Sequence, residues 1–218
     1  MSAIAFDLLI LDCDGVVVDS EPIAARVLAE MIGELGVPMT TQEAIERFVG
    51  QTFETTLHGV ATQLGAPLPR AFAVAYRERS FAALADEVSV MPGLLAALDL
   101  ITIPCCIASN GPHAKLRITL GATGLLARFN GRIHSAADVA RGKPFPDLFL
   151  HAARQHGAEP ARCLVIEDSA SGIAAARAAG MTVLGFCAAA PARRLLEAGA
   201  HRCFTHMHEL PALVAAGA

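Results

Sequence analysis

Two aspartates, Asp12 and Asp14, stand one residue apart at the end of an apolar run over residues 6–11 that only Asp7 interrupts, and Gly15 follows at once. Residues two apart in an extended segment face the same side, so both carboxylates can address one cavity. A second acidic pair, Glu167-Asp168, ends the apolar run 163–166 and precedes Ser169 and Gly172. Adjacent carboxylates at the end of an apolar strand suit Mg²⁺, which takes oxygen ligands, usually one or two carboxylates with waters and substrate phosphate. Ser109-Asn110-Gly111-Pro112 offers a hydroxyl and free backbone N–H groups at the start of a helix, a setting for an anion. Lys143 sits between Gly142 and Pro144-Phe145-Pro146, on a stiff support, and the only other lysine is Lys115. Asp12, Asp14 and Asp168 can surround a divalent cation, Ser109 and Lys143 can hold phosphate oxygens, and a carboxylate can attack phosphorus. That set points to metal-assisted phosphoryl transfer through an aspartyl-phosphate. Each stretch alone has a plainer use. The two Gly-containing segments are good turns, Glu167-Asp168 complements a helix dipole, and most lysines are solvated.

The pattern of elements gives these residues a common home. Short apolar runs at 104–108, 131–135, 162–166, 182–186 and 203–205 alternate with helical stretches at 112–120, 147–156, 170–179, 192–198 and 208–215. Such alternation predicts a parallel sheet covered on both faces. Catalytic groups of open α/β sheets lie beyond the carboxyl ends of the strands, where all four stretches fall. Residues 21–35, 41–48, 53–64 and 70–84 read as helices without a strand between them. Gly36 and Gly65 serve as stops, Thr41 caps the second helix, and Thr52 or Phe53 starts the third. The expected fold is therefore α/β: a Rossmann-like three-layer core with a mainly parallel sheet, residues 1–17 and 88–218, and a four-helix cap, residues 18–87, inserted after the first strand. Two crossings join the cap to the core, so it can hinge over the site.

Composition narrows the class. The chain has 218 residues, 54% of them hydrophobic, enough for a sizeable core, and a net charge of −4. That balance gives no footprint for nucleic acid or an anionic membrane. No run reaches the roughly 18–20 apolar residues of a membrane-spanning helix, and the N-terminus lacks the basic region of a signal peptide. The six cysteines form no C-x-x-C pair and read as small buried hydrophobes rather than disulfides or zinc ligands. A cytoplasmic monomer with no nucleic-acid or membrane partner is expected.

Taken together, Asp12-x-Asp14-Gly15-x-x-x-Asp19, Ser109-Asn110, Lys143-Pro144-x-Pro146-Asp147 and Glu167-Asp168-Ser169 with Gly172 and Gly180 resemble, in order and spacing, the haloacid dehalogenase superfamily. Within it the chain is similar to the sugar phosphatases and the β-phosphoglucomutase group. The resemblance implies that Asp12 is the nucleophile, and that Asp14 protonates the leaving alcohol and later activates water. It implies Mg²⁺ bound by the Asp12 carboxylate, the Asp14 backbone carbonyl and Asp168, with Glu167 acting through water, and Ser109, Asn110 and Lys143 at the phosphate. A mutase is the alternative, but the histidine such enzymes carry on the first cap helix is Ala24 or a neighbour here, and their cap-turn arginine is Phe53. A non-catalytic binding protein is the remaining reading; the four intact motifs oppose it.

Specificity for a small phosphorylated substrate should come from the cap. Its candidate polar residues are Glu21, Arg47, Gln51, Thr52, Arg77 and Arg79. Arg47 and Gln51, beside Gly50, are the preferred pair, and Arg77 and Arg79 read as solvated. Arginine fits carboxylate or phosphate in bidentate fashion, so an acidic sugar phosphate such as 6-phosphogluconate is compatible.

Overall fold

The computed structural model describes residues 6–49, 51, 53–188 and 191–217. Strand β1 (Leu8–Leu11) is flanked by β2 (Cys105–Ser109) and β4 (Cys163–Glu167), with β3 (Ile133–Ser135) beyond β2 and β5 (Thr182–Phe186) and β6 (Arg202–Phe204) beyond β4. The order is β3-β2-β1-β4-β5-β6, and all five pairings are parallel. All four β1 side chains are buried, because helices cover both faces of the sheet. Leu9 and Leu11 enter one apolar cluster with Leu94, Leu116, Leu120 and Phe129, while Leu8 and Ile10 enter another with Phe149, Ile173 and Val183. Full burial of each such side chain contributes about 1.5–3 kcal/mol, so a period-two run of large aliphatics fixes the strand and its register together.

Four helices lie between β1 and β2: α1 (Glu21–Glu34), α2 (Thr41–Phe48), α3 (Phe53–Leu64) and α4 (Phe72–Glu87). They share an apolar cluster of Val27, Leu28, Met31, Ile32, Val60 and Phe72, separate from the two sheet clusters. The α2 cap falls one residue earlier than expected. Thr40 Oγ1 accepts from the Glu43 N–H at 3.2 Å, while a Glu43 carboxylate oxygen accepts from the Thr40 N–H at 2.8 Å, a reciprocal box that Thr41 could not complete. The segments that lead into and out of these helices run side by side: Asp19 N–H donates to Ser89 O, and Met91 N–H donates to Val17 O, each at 3.0 Å.

The remaining helices are α5 (Leu94–Leu100), α6 (His113–Ala122), α7 (Asp147–Gln155), α8 (Ala170–Ala178), α9 (Ala192–Glu197) and α10 (Leu210–Ala216). Helix α4 packs along α6, which closes one side of the space above the sheet. Among the described residues no helix is long and apolar enough to cross a membrane.

Candidate active site

Strand order reverses around β1, and the site sits at that switch point, beyond the ends of β1, β2 and β4. Asp12 follows β1 directly, Ser109 ends β2 and Glu167 ends β4. The β3–α7 connection brings in Lys143, whose peptide bond to Pro144 is cis. A cavity of about 720 Å³ opens over them, with Asp12, Asp14, Ser109, Lys143 and Asp168 on the sheet side and Glu21, Gln51, Tyr76, Arg77 and Ser80 on the helical side. That volume suits a small ligand.

Lys143 is the electrostatic centre. It is 6% exposed, and its Nζ donates to Asp12 Oδ1 at 2.6 Å and to Glu167 Oε1. Burial alone would discharge the amine, but the Asp12 and Glu167 carboxylates hold its pKa above the ordinary lysine value. The Asn110 side chain fixes the lysine from behind: its Oδ1 accepts from the Lys143 N–H at 2.8 Å, and its Nδ2 donates to the Lys143 carbonyl at 3.0 Å. Asn110 lines the cavity beside Ser109, and its side chain also holds the backbone of Lys143. Gly142 makes this contact possible, since a Cβ at that position would lie 2.5 Å from Asn110 Oδ1.

Asp12, Glu167 and Asp168 each place a carboxylate oxygen within 4.8 Å of the other two. Burial, followed by repulsion from Glu167 and Asp14 and offset by Lys143, raises Asp12 to about 7. Burial, then Glu21, Glu167 and Asp12, drives Asp168 well above the usual range. One lysine is too little positive charge for this cluster, and a divalent cation is the charge and donor preference it fits. Glu167 is fully buried and both its oxygens are taken, one by Lys143 and one by the Ser169 N–H and hydroxyl at 3.1 and 2.8 Å. Asp12 and Asp168 are therefore the side chains of the cluster better placed to touch a metal. Gly15 and Gly172 leave the room required: a Cβ on either would sit 1.9 Å from the Asp168 or the Glu167 carboxylate, respectively.

Asp14 lies outside that cluster. Its Oδ1 accepts from Lys115 Nζ at 2.7 Å and from the Ser20 hydroxyl. Burial works to raise its pKa, but Lys115 and Ser20 outweigh that and hold it below the ordinary carboxylate value. Lys115, on α6, is thus a site residue that the sequence marks only by the rarity of lysine in this chain.

The cap residues divide differently from expectation. Glu21 and Gln51 line the cavity, and burial followed by the Asp14 charge raises Glu21 to about 7. Arg47 does not line it; its guanidinium donates to Gln63 Oε1 at 2.7 Å, and both border a second, more open depression that Gln51 also lines. Arg79 pairs with Glu34 at 2.5 Å, also outside. Arg77 is exposed, as expected from sequence, and its side chain also contributes to the wall of the cavity, with the guanidinium over the Phe53 ring at 5.8 Å. Thr52 lies outside the described residues.

Residues 6–180 match the haloacid dehalogenase-like hydrolase family. The chain belongs to that family. This hydrolase is 33% identical over 208 residues to the 6-phosphogluconate phosphatase of Escherichia coli, covering 95% of this chain and 94% of that protein. A crystal structure of a haloacid dehalogenase-like protein of unknown function from Agrobacterium tumefaciens is similar with a TM-score of 0.89 and 42% identity, over 97% of this chain and 98% of that one. A family hydrolase from Deinococcus radiodurans, solved with bound phosphate and sodium, aligns with a TM-score of 0.83 and 36% identity, over 98% and 97% of the two chains.

Proposed function

We propose that this hydrolase is a Mg²⁺-dependent phosphomonoesterase acting on a small phosphorylated sugar, sugar acid or polyol, with Asp12 as the nucleophile. The observation that carries the reading is the Asp12 carboxylate at the floor of the cavity, 2.6 Å from buried Lys143 and clustered with Asp168 and Glu167. Residues 18–87 serve as a hinged cap over a core of residues 1–17 and 88–218.

Asp12 and Asp168, with the Asp14 backbone carbonyl, would hold Mg²⁺, and Glu167 would orient its waters. When bound, the cation neutralises charge on the phosphoryl oxygens and on the nucleophile. Lys143 and Ser109 hold the phosphoryl group, and Lys143 favours the ionised form of Asp12 against its burial. An Asp12 oxygen forms a bond to phosphorus as the phosphorus–alcohol oxygen bond breaks, and Asp14 gives its proton to the departing alkoxide. Asp14 then takes a proton from a water whose oxygen attacks phosphorus, releasing Asp12 and inorganic phosphate. Lys115 and Ser20 hold Asp14 ionised in the present arrangement, the state suited to that second step. Proton donation in the first step requires the Lys115 contact to open.

The likeness to the Escherichia coli phosphatase and the position of Arg77 favour a substrate with a second anionic group, such as a phosphorylated sugar acid. Arg77→Met is expected to raise KM for such a substrate by roughly 10–100-fold, the scale of one charge-assisted bidentate contact. KM for a neutral sugar phosphate should be unchanged, and equal effects on both substrates would remove Arg77 from recognition. Ala24 and Phe53 also line the cavity, where the mutase resemblance calls for histidine and arginine, so hydrolysis is favoured over isomerisation.

The experiment is phosphate release from a panel of phosphorylated sugars, sugar acids, polyols and nucleotides. Release that requires Mg²⁺ and stops with chelator is expected. Silence across the panel, or release indifferent to chelator, would overturn the reading.

Stability should report the metal independently. Folding raises the Asp12 pKa from 3.8 to about 7, so its protonated form favours the native state. That contribution is whole below the unfolded value and is lost as pH rises through about 7. Mg²⁺ replaces the missing positive charge only where the carboxylates are ionised. The Mg²⁺-induced rise in Tm should therefore be larger at about pH 8 than at about pH 5.5, and equal rises would contradict the charge argument.

A further inference from the structure

We propose that Cys106, His134 and His156 form a second, soft-metal site that takes Zn²⁺, apart from the carboxylate cavity. Ala108 pairs with His134 across β2 and β3, and Cys106 lies two residues before Ala108. Cys106 and Ala108 pack into the same apolar cluster as Leu148, Phe149 and Ala152 of α7, so His134 points toward that helix too. His156 caps the C-terminal end of α7. The Cys106 Sγ and one ring nitrogen of each histidine all lie within 4.8 Å of one another. His134 Nε2 and His156 Nε2 are 3.2 Å apart. Tetrahedral zinc, with nitrogen at about 2.0–2.1 Å and sulfur at about 2.3 Å, holds its donors about 3.3–3.8 Å apart, so the trio needs only small side-chain rotations.

Burial raises the Cys106 thiol well above its ordinary value, so the ion must displace its proton, whereas the two rings are already suited to a cation. Two ring nitrogens at that distance must share either one proton or a cation. Burial, followed by His156 and His151, brings His134 down to about 4. Burial and then Arg132 lower His156. Both rings therefore present neutral lone pairs at pH 7, the state a metal requires. Arg132 is positive, but its guanidinium is occupied by the Cys105 and Arg128 carbonyls, and the Asp138 carboxylate acts on His134 in the opposite sense. Sulfur and imidazole donors select Zn²⁺ over Mg²⁺, the reverse of the carboxylate cluster. The fourth position falls to water or to His151, whose ring stands edge-on to that of His134 with centroids 5.2 Å apart. Binding converts the Cys106 thiol to a zinc thiolate and releases one proton. The bound ion would tie β2, β3 and the end of α7 together, and residues 134–156 between two of its ligands include Lys143.

The test is Zn²⁺ binding to the full chain in excess Mg²⁺, with Asp168→Asn as a variant that disables the carboxylate cluster. One zinc per chain is expected in both proteins, with one proton released. Co²⁺ in place of Zn²⁺ should show a sulfur-to-metal charge-transfer band that Cys106→Ser lacks. His156→Ala, at a half-buried position at the end of α7, should weaken zinc by more than roughly 100-fold, beyond the 10–100-fold typical of losing a merely supporting group. Zinc binding that disappears in Asp168→Asn, survives His156→Ala, or gives no sulfur band with Co²⁺ would overturn the proposal.

Discussion

Asp12→Asn is expected to lower phosphomonoester hydrolysis by roughly 10⁴–10⁶-fold, the scale on which a covalent nucleophile is lost. The substitution keeps the shape of the side chain and removes the one oxygen nucleophile. Its effect on stability should run the other way. Asp12 is ionised in the native state only against burial and two neighbouring carboxylates. The metal-free asparagine variant should therefore melt no lower than the metal-free wild type at about pH 8, and the gain from Mg²⁺ should shrink. A loss of activity accompanied by unfolding would leave the catalytic reading without support. Thermal melts with and without Mg²⁺, run beside the assay, separate these results.

Lys143→Met should be costly in both respects. It leaves Asp12 and Glu167 facing each other in a buried site without the cation that bridges them. Removing one partner of a buried, hydrogen-bonded charge set costs about 3–5 kcal/mol. For a chain of this length that corresponds to a fall in Tm of roughly 6–20 °C. The cost should ease at about pH 5.5, where Asp12, raised by its burial, is protonated and no longer stranded as a charge. Activity should fall by roughly 10³-fold, as when a preorganised donor to the developing charge is removed. Asn110→Ala tests the same point from behind. It frees the Lys143 backbone without touching its charge, so a loss much smaller than that of Lys143→Met is expected.

The core was legible in sequence because its signals are local. Four consecutive large aliphatics, Leu8 to Leu11, can be buried on both sides only in the middle of a covered sheet, and the residues that follow such strands face the switch-point crevice. The charged residues at those strand ends are brought together by the fold. The rest depended on long-range geometry. Asn110 and Lys143 are 33 residues apart, and their backbone clamp leaves no pattern in sequence. Lys115 reaches Asp14 across 101 residues through the docking of α6. Which arginine of α2 and α4 reaches the cavity wall depends on the rotation of each helix against its neighbours, and nearness to a turn does not report that rotation. That rotation sends Arg47 to Gln63 and Arg77 to the cavity. The Cys106, His134 and His156 cluster spans two strands and a helix end and carries no close ligand spacing, so the cysteines read as plain core residues.

The central claim is that phosphate passes through a covalent bond to Asp12. It is tested most directly by adding borohydride during steady turnover and mapping the modified residue by mass spectrometry, since an acyl-phosphate is reduced and its aspartate becomes homoserine. Conversion at Asp12 that depends on both substrate and Mg²⁺ is the result the mechanism predicts. Continued phosphate release with Asp12 unmodified, or reduction at another carboxylate, would contradict it.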